Sequence, residues 1–339
     1  MKRNRQVDLL RGIGILLVVL GHSSWVLPGD IWRWVYGVHM PLFLFLSGFM
    51  QSEAPGEGFG AFALRRVRSL LLPYLGFYLA SLVLTLLFMG QAPTGPYLAA
   101  CAKGLLLAGH FIPFSNFALW FLPLFFLANL AFYGIRRLPV PFAAVMTVGA
   151  GLLAPCYGWL ESLGVRTRFI PWNAHVIFPA LFFMGLGLLA RKADYFGRLQ
   201  KKRRLQAPLH LLLGLLGLWL HFRDPQEILF ITGYDYLLVA LCMTDCLFFL
   251  AAGSRNAALE ALGRDSLWIL GLHRILLGIA QRFRLEEALT FLPEGKGLLK
   301  AACVDGIVIL LCLSAMLFCR GLVSLSRIIH TQGKRHEQK

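Results

Sequence analysis

The sequence predicts an all-α integral membrane protein, a polytopic bundle of about ten transmembrane helices with its N-terminus and C-terminus in the cytoplasm. Three observations support this fold class. The chain is 58% hydrophobic and 15% charged, and its mean hydropathy of +0.66 is typical of proteins that cross a membrane repeatedly. Apolar windows of about 20 residues, enough to span a bilayer, recur along the whole chain. Basic residues concentrate in alternate connecting segments.

The predicted spans are ten apolar windows, of which the second and the ninth are short. In chain order they cover residues 7–27, 36–51, 70–89, 117–135, 139–157, 175–191, 206–222, 229–251, 266–281 and 298–322. The stretch 91–116 is ambiguous, because residues 97–107 are apolar enough for an interfacial or re-entrant helix. An eleventh span there would reverse the side of every later segment.

The distribution of charge favours ten spans. With the N-terminus inside, about two thirds of the 33 Lys and Arg residues fall in cytoplasmic segments. The net charge of +16 follows from this bias and lies beside anionic lipid headgroups. Because no basic soluble domain is present, we expect the lipid bilayer and no nucleic acid as a partner.

A single membrane domain is expected over residues 1–325, followed by a basic cytoplasmic tail at 326–339 whose end should be disordered. The first span is longer than the core of a signal peptide and is followed by no small-residue cleavage site. The seven Cys residues are scattered, without a CxxC pair or zinc-like spacing. They predict packing residues, and no metal site is expected.

The first span contains two ionisable residues, Arg11 and His22, separated by ten mostly apolar residues. In a helix they lie about 16 Å apart along the axis and point to nearly the same side. A charge at bilayer depth costs roughly 2.5–3.5 kcal/mol even on a lenient scale, so an interior site is the default explanation. A snorkelling pair of Arg11 with Asp8, and a neutral His22 bonded inside the bundle, are the alternatives. Gly12 allows close approach of a neighbouring helix.

The second predicted span has His39 near the outer edge of the hydrocarbon and Pro41 in its first turn. If the first two spans pack as a hairpin, His39 and His22 lie at related depths. Two imidazoles at one depth indicate a site that handles protons. Gly48, further along the span, is small enough for close helix contact.

Three arginines, Arg65, Arg66 and Arg68, begin the third span in the sequence ALRRVRSLLLPY. Guanidinium groups at one helix entrance can bind phosphates bidentately. Ordinary anchoring by the positive-inside rule is the alternative and explains the arginines better when they are considered alone.

Other residues of the spans are candidates for substrate contact. Trp120, in the sequence LWFLPLFF, lies near the outer surface, where tryptophans of the membrane belt are also common. His273 lies in the middle of the ninth span beside Arg274, and Asp235 lies near the outer end of the eighth. Asp245 is in mid-span, where we expect it to neutralise Arg274 or His273.

Four segments in this order resemble a known family. They are DLLRG with the spacing from Arg11 to His22, HMPLFLFLSGF, RRVRSLLLPY and SLWILGLH. Together they resemble the integral membrane acyltransferase-3 superfamily, and the sequences HMPLF and LWFLP are similar to its fucose 4-O-acetylase-like branch. The likeness is strong over the first 75 residues and weaker at 119–126 and 263–273.

The resemblance implies a membrane-bound O-acyltransferase of the bacterial cell (inner) membrane. Such an enzyme moves an acyl group, usually acetyl, from cytoplasmic acetyl-CoA to a hydroxyl of a saccharide or another cell-envelope molecule. Arg11 and His22 are the expected essential pair, with His22 as general base or, alternatively, as acyl carrier. Arg65 and Arg68 match the RxxR motif of the donor side, and Arg66 between them can substitute for a neighbour.

The same layout assigns the residues of the outer half to the acceptor. His39 is expected to share the proton or to bind the acceptor, and Trp120, His273 and Asp235 are expected to contact it. A proton-coupled transporter or flippase of a saccharide or small molecule is the main alternative, and the lack of an internal repeat argues against it. A racemase-like or sensory membrane module is a third alternative.

Overall fold

The computed structural model describes most of the chain, and the regular elements of that part are all helical. The described residues are 4–23, 29–51, 56–88, 90, 92–108, 112–113, 116–223, 233–289 and 297–336. The α-helices are α1 (Arg5–His22), α2 (Gly29–Met50), α3 (Phe59–Arg66), α4 (Leu72–Phe88), α5 (Gly95–Leu107), α6 (Phe121–Ile135), α7 (Val140–Leu152), α8 (Cys156–Ser162), α9 (Ile177–Lys192), α10 (Tyr195–Lys201), α11 (Arg203–Arg223), α12 (Tyr234–Ala251), α13 (Ala257–Arg264), α14 (Ser266–Arg282), α15 (Leu285–Ala288) and α16 (Gly297–His336). The predicted all-α fold class is confirmed.

Seven helices of the described part are long and apolar enough to cross a membrane. They are Phe59–Phe88, Phe117–Ile135, Val140–Ser162, Pro171–Lys192, Arg203–Arg223, Tyr234–Ala251 and Leu298–Cys319. Each overlaps a predicted span, and the three other predicted spans overlap α1, α2 and α14. These three are the helices that carry His22, His39 and His273. The total of ten spans and the side of each terminus stay predictions.

The outer helices of the bundle expose apolar side chains, whereas α1, α2 and α12 are largely buried. Leu87 of α4, Val145 of α7, Leu212 of α11 and Leu310 of α16 are each more than 60% exposed. Rows of exposed apolar residues on these helices suit contact with lipid chains. Within these helices Asp8 and His39 are buried, and Arg11 and His22 are half-buried.

Glycines set the closest helix crossings. A Cβ atom on Gly12 of α1 would lie 2.0 Å from the carbonyl oxygen of Leu259 in α13. A Cβ atom on Gly48 of α2 would lie 1.8 Å from the carbonyl oxygen of Met184 in α9. The close approach predicted at Gly12 and Gly48 is confirmed, because any larger side chain would separate these backbones.

The ambiguous stretch 91–116 contains α5, a helix of 13 residues. Its length of about 20 Å falls short of the roughly 30 Å hydrocarbon core. Two hydroxyls of α4 hold it in place, since Tyr74 donates to the Leu105 carbonyl at 2.8 Å and Tyr78 to the Cys101 carbonyl at 2.6 Å. The helix packs on α4 and is too short to be an additional span.

Two local expectations are wrong. Pro41 lies inside α2 and not in its first turn, because the helix begins at Gly29, well before the predicted span. The tail is helical as far as His336, since no proline interrupts the chain after α16 begins. Residues 337–339 of the tail lie outside the described residues. The boundary at residue 325 falls inside α16 and stays a prediction.

Candidate active site

Three histidines from three helices meet in the interior of the bundle, and we call them the histidine cluster. His22 ends α1, His39 lies in α2, and His273 lies in α14. Nε2 of His273 is 3.2 Å from Nδ1 of His22, and the centroids of the two rings are 4.9 Å apart. The Tyr36 ring lies between the rings of His22 and His39. Its centroid is 5.6 Å from that of His22 and 5.2 Å from that of His39.

Hydrogen bonds to backbone carbonyls fix the tautomer that each ring adopts when it is neutral. Each histidine donates from Nδ1 to a carbonyl one turn earlier in its own helix. The distances are 2.7 Å to Val18 for His22, 2.6 Å to Val35 for His39 and 2.9 Å to Ile269 for His273. Because a carbonyl only accepts, Nδ1 carries the hydrogen, and Nε2 carries the lone pair of a neutral ring. Nε2 of His22 is thus the nitrogen that can take a proton from a hydroxyl.

Arg274 links α14 to the end of α1. Its Nη1 donates to the carbonyl oxygen of His22 at 3.1 Å. The last carbonyls of a helix lack intrahelical partners, so this bond caps α1 at the residue that holds the imidazole. It also brings a positive charge beside the histidine cluster.

Asp245 does not serve this cluster as we expected. Its carboxylate accepts hydrogen bonds from the hydroxyl of Tyr195 in α10 and from Nδ1 of His210 in α11, the latter at 2.6 Å. The expected neutralisation of Arg274 or His273 is wrong, because α12 turns Asp245 toward α10 and α11.

A cavity of about 280 Å³, which we call the arginine cavity, lies between α1, α2, α6, α14 and the start of the Phe59–Phe88 helix. Its charged lining residues are Arg11 of α1 and Arg66 of α3. The serine hydroxyls of Ser47, Ser69 and Ser266 add polar groups, and the remaining lining residues are apolar. The cavity therefore combines a positive end with an apolar interior.

The arginine cavity ends one helical turn before the histidine cluster. On α1 the last lining residue is Val18, and His22 follows four residues later. On α14 the last lining residue is Leu270, and His273 follows three residues later. On α2 the lining begins at Met40, directly after the histidine of that helix. At 1.5 Å per residue, His22 lies about 6 Å, His273 about 4.5 Å and His39 about 1.5 Å beyond the cavity lining along their helix axes.

The three arginines of the predicted entrance point in different directions. Arg66 lines the cavity, and its buried Nε has no hydrogen-bond partner in the described part of the chain. Arg65 points outward with 55% of its side chain exposed, and its Nη2 lies 2.8 Å from Oε1 of Glu57. Arg68 is exposed in the π-helical segment Val67–Leu71 that joins α3 to α4. Of the three, Arg66 is the one that meets the cavity.

A buried network around Arg136 supports this entrance and was not predicted from the sequence. Arg136 is 2% exposed; its Nη2 lies 3.2 Å from Oε2 of Glu57, and its Nη1 donates to Oε1 of Gln51 at 3.1 Å. The Phe62 ring lies 4.3 Å from the Arg136 guanidinium and 5.1 Å from that of Arg66. No local pattern relates positions so far apart, so Arg136 resembled an ordinary anchoring residue.

Two predicted substrate residues lie outside the arginine cavity. Trp120 ends the 3₁₀ segment Phe117–Trp120 and packs into the apolar core, 6.1 Å between ring centroids from Phe121, which lines the cavity. Asp235 is exposed in the first turn of α12. The structure therefore unites the three histidines, and it unites Arg11 with Arg66, but it leaves Trp120 and Asp235 apart from both groups.

All of these elements lie within the part of the chain that matches a known family model. A family model described as an acyltransferase domain, that of acyltransferase family 3, matches residues 4–319. No curated protein and no solved structure matches the chain. The matched region includes every helix that lines the arginine cavity or carries the histidine cluster. The chain therefore belongs to acyltransferase family 3 and is a multi-pass membrane acyltransferase.

Proposed function

We propose that the protein is an O-acyltransferase of the bacterial cell (inner) membrane that uses cytoplasmic acyl-CoA. It moves the acyl group, in the simplest case acetyl, to a hydroxyl of a saccharide or another cell-envelope molecule. The observation that carries the proposal is the alignment of the arginine cavity with the histidine cluster. Positive charge stands at one end, and a neutral imidazole with a lone pair on Nε2 stands one turn beyond the other.

The charge of the cavity fits the acyl donor. The phosphates of CoA are negatively charged, and Arg11 and Arg66 give the cavity lining a positive formal charge. Arg66 also has a buried Nε hydrogen without a partner, which a phosphate oxygen can accept. The volume of about 280 Å³ is close to the lower limit of small-molecule sites, so the cavity suits part of the donor rather than all of it.

His22 acts as the general base in this proposal. Bound acyl-CoA supplies an activated thioester, and Nε2 of His22 takes the proton of the acceptor hydroxyl as its oxygen attacks the carbonyl carbon. The carbon–sulfur bond then breaks, the CoA thiolate leaves, and the proton on His22 is available to it. The bond from Nδ1 of His22 to the Val18 carbonyl holds the ring in the tautomer that this step needs.

The neighbours of His22 have supporting roles. Arg274 fixes the end of α1 through the His22 carbonyl and supplies positive charge near the oxyanion that forms during attack. His273 and His39 lie on the side from which the acceptor approaches, and they share the proton or bind its hydroxyl groups. Contacts of Trp120 and Asp235 with the acceptor require an acceptor that extends beyond the cluster. Membership of the fucose 4-O-acetylase-like branch would make that acceptor a sugar.

The test is acyl transfer by the purified protein in lipid nanodiscs. Acetyl-CoA labelled in the acetyl group is supplied with cell-envelope extract, and both CoA release and label transfer are measured. Substitution His22→Ala should lower turnover by about 10²–10⁴-fold, the usual contribution of a positioned base. The matched control is His221→Ala, which removes a buried histidine of α11, a helix that carries no member of the histidine cluster. It should retain turnover per folded molecule.

Two results would contradict the proposal. Normal turnover by the folded His22→Ala variant would remove His22 from the mechanism. Absence of consumption of acetyl-CoA or other acyl-CoA donors, with the extract present, would argue against CoA-dependent transfer. Label bound covalently to the wild-type protein before acceptor is added, and absent in the variant, would make His22 the acyl carrier instead of the base.

A further inference from the structure

A second cavity, separated from the arginine cavity by α2, lies between α9 and α12. It has a volume of about 390 Å³, and we call it the Asp245 crevice. Phe45 of α2, Phe183 of α9 and Leu241 of α12 form its apolar interior. No step of the proposed acyl transfer uses it.

The crevice has one polar end. Asp245 lies there with 24% of its side chain exposed, and it accepts hydrogen bonds from Tyr195 and from His210. Burial, together with the adjacent Asp245 carboxylate, raises the pKa of the Tyr195 phenol, so this hydroxyl stays protonated and keeps donating. A carboxylate has about four acceptor positions, and two are occupied here by protein donors. Asp245 can therefore accept further hydrogen bonds from a ligand.

A second polar group at the same place lacks a partner. Thr244, the residue before Asp245, is 3% exposed and lines the crevice. Its Oγ1 is buried and has no hydrogen-bond partner among the described residues. Burying an unsatisfied hydroxyl costs roughly 1–3 kcal/mol, so this oxygen indicates a ligand group that pairs with it.

The sign of the charge selects the ligand. Among the residues that the structure describes, the crevice lining contains the carboxylate of Asp245 and neither Lys nor Arg. A phosphate or carboxylate at this point would be repelled. A group with several N–H donors and a positive charge satisfies the carboxylate and leaves a donor for Thr244, as a primary ammonium does.

The direction of the crevice indicates the source of that group. The lining runs from Phe183 of α9 to Ala193, the residue directly after that helix, which is about 15 Å along the axis. The polar end adjoins the turn between α9 and α10, the end of the bundle that we predicted to be cytoplasmic, and the apolar end points into the membrane. Leu186 and Ala190 on the rim are half-exposed, so the crevice opens sideways. A lipid of the adjoining leaflet has this same order of polar and apolar parts.

We propose that the Asp245 crevice binds a phospholipid whose headgroup carries a primary ammonium, with one acyl chain between α9 and α12. The ammonium donates hydrogen bonds to Asp245 and Thr244. In this arrangement the lipid phosphate faces the basic residues at the end of α10, where Lys201 and Lys202 are exposed. This site is independent of the acyl-CoA site and of the reaction.

The test is native mass spectrometry of the full-length protein after equilibration in nanodiscs of equal parts phosphatidylethanolamine, phosphatidylcholine and phosphatidylglycerol. The amount of retained phosphatidylethanolamine should exceed that of each other lipid by at least about tenfold. This is the ratio of dissociation constants that corresponds to the free energy of one hydrogen bond to a charged group. Phosphatidylcholine carries the positive charge without N–H donors, so it separates hydrogen bonding from charge alone. Equal retention of the three lipids, or preference for phosphatidylglycerol, would overturn the proposal.

Variants locate the binding to the crevice. Asp245→Asn should abolish the preference for phosphatidylethanolamine, and Asp235→Asn, at the opposite end of α12, should leave it unchanged. Ala190→Trp should lower retention of all three lipids by filling the crevice, whereas Leu238→Trp on the exposed surface of α12 should not. Thr244→Val gives a milder change in case Asp245→Asn fails to fold, and should reduce the preference about threefold. An undiminished preference in both folded Asp245→Asn and Thr244→Val would place the lipid elsewhere.

Discussion

The arginine cavity and the Asp245 crevice lie on opposite faces of α2 and carry opposite charges. Met40, Phe43 and Ser47 line the first at helical spacing, and Phe45 points into the second. Both cavities are mostly apolar and similar in size. The difference between them is a pair of arginines in one and an aspartate in the other, and this teaches that a few ionisable residues decide what each apolar space can hold.

The largest expected effect comes from removing the charge of the arginine cavity. The double variant Arg11→Met with Arg66→Met should raise the KM for acyl-CoA by about 100-fold, because two charge-assisted contacts are lost. Retention of phosphatidylethanolamine in the Asp245 crevice should not change. A steady-state titration of acyl-CoA in nanodiscs measures the first quantity.

The matched control removes two exposed arginines, Arg255 and Arg264, near the same end of the bundle. Arg255→Met with Arg264→Met should leave KM within about twofold, because exposed charges are screened by solvent. If both double variants raised KM equally, the general positive surface and not the cavity would attract the donor.

The three entrance arginines should differ in their effect on the KM for acyl-CoA, and the largest effect should be about tenfold. Arg66→Ala should raise the KM for acyl-CoA about tenfold, whereas Arg65→Ala and Arg68→Ala should each raise it less than about threefold. The reason is that Arg66 faces the cavity, while Arg65 pairs with Glu57 and Arg68 is exposed. The same titration measures all three. A larger effect of Arg65→Ala or Arg68→Ala would assign the donor to the outer arginines of the RxxR motif.

A smaller effect is expected from a substitution that disturbs both cavities at once, because residues of α2 line both of them. A Cβ atom on Gly187 of α9 would lie 2.0 Å from the Phe45 carbonyl oxygen, so Gly187→Ala should push α9 from α2. We expect a loss of about 1–3 kcal/mol in stability, and a shift of a few fold in both KM and lipid preference. Thermal unfolding in detergent measures the loss. Gly76→Ala is the control and should change none of these quantities, because no described atom beyond its chain neighbours and its own helix backbone lies within 4 Å of the new Cβ.

The smallest effect should come from salt. Raising the ionic strength from about 0.05 M to about 0.3 M should increase the KM for acyl-CoA two- to threefold, because phosphates approach the arginines through solvent. The lipid preference should change less, since Asp245 lies inside an apolar crevice. Equal salt dependence of both quantities would mean that the two sites are equally open to solvent.

The sequence predicted the helices well because bilayer thickness imposes a length and composition that single windows reveal. It also predicted that Arg11 and His22 share one side of α1, which follows from helical periodicity alone. The meeting of His22 with His273 joins residues 251 positions apart and needs the packing of α1 on α14. No periodicity within one helix contains that information.

The orientation of individual side chains was harder to predict. Asp245 was expected beside Arg274, but its partners lie on α10 and α11, because single windows do not state which helices become neighbours. Likewise, the sequence of the basic segment does not distinguish Arg66 from Arg65 and Arg68. Their different directions depend on the turn that follows them and on the Glu57 and Arg136 network.

The π-helical segment Val67–Leu71 has a consequence for the evolution of this entrance. A π-turn holds about one residue more than an α-turn and so behaves as a local insertion of one residue. Deleting one residue there would restore an uninterrupted α-helix and swing α3 by about 100° relative to α4. The lipid-facing row of α4 would keep its direction while Arg66 turned out of the cavity. A one-residue change of chain length would thus re-aim the donor entrance without altering the membrane surface of the helix.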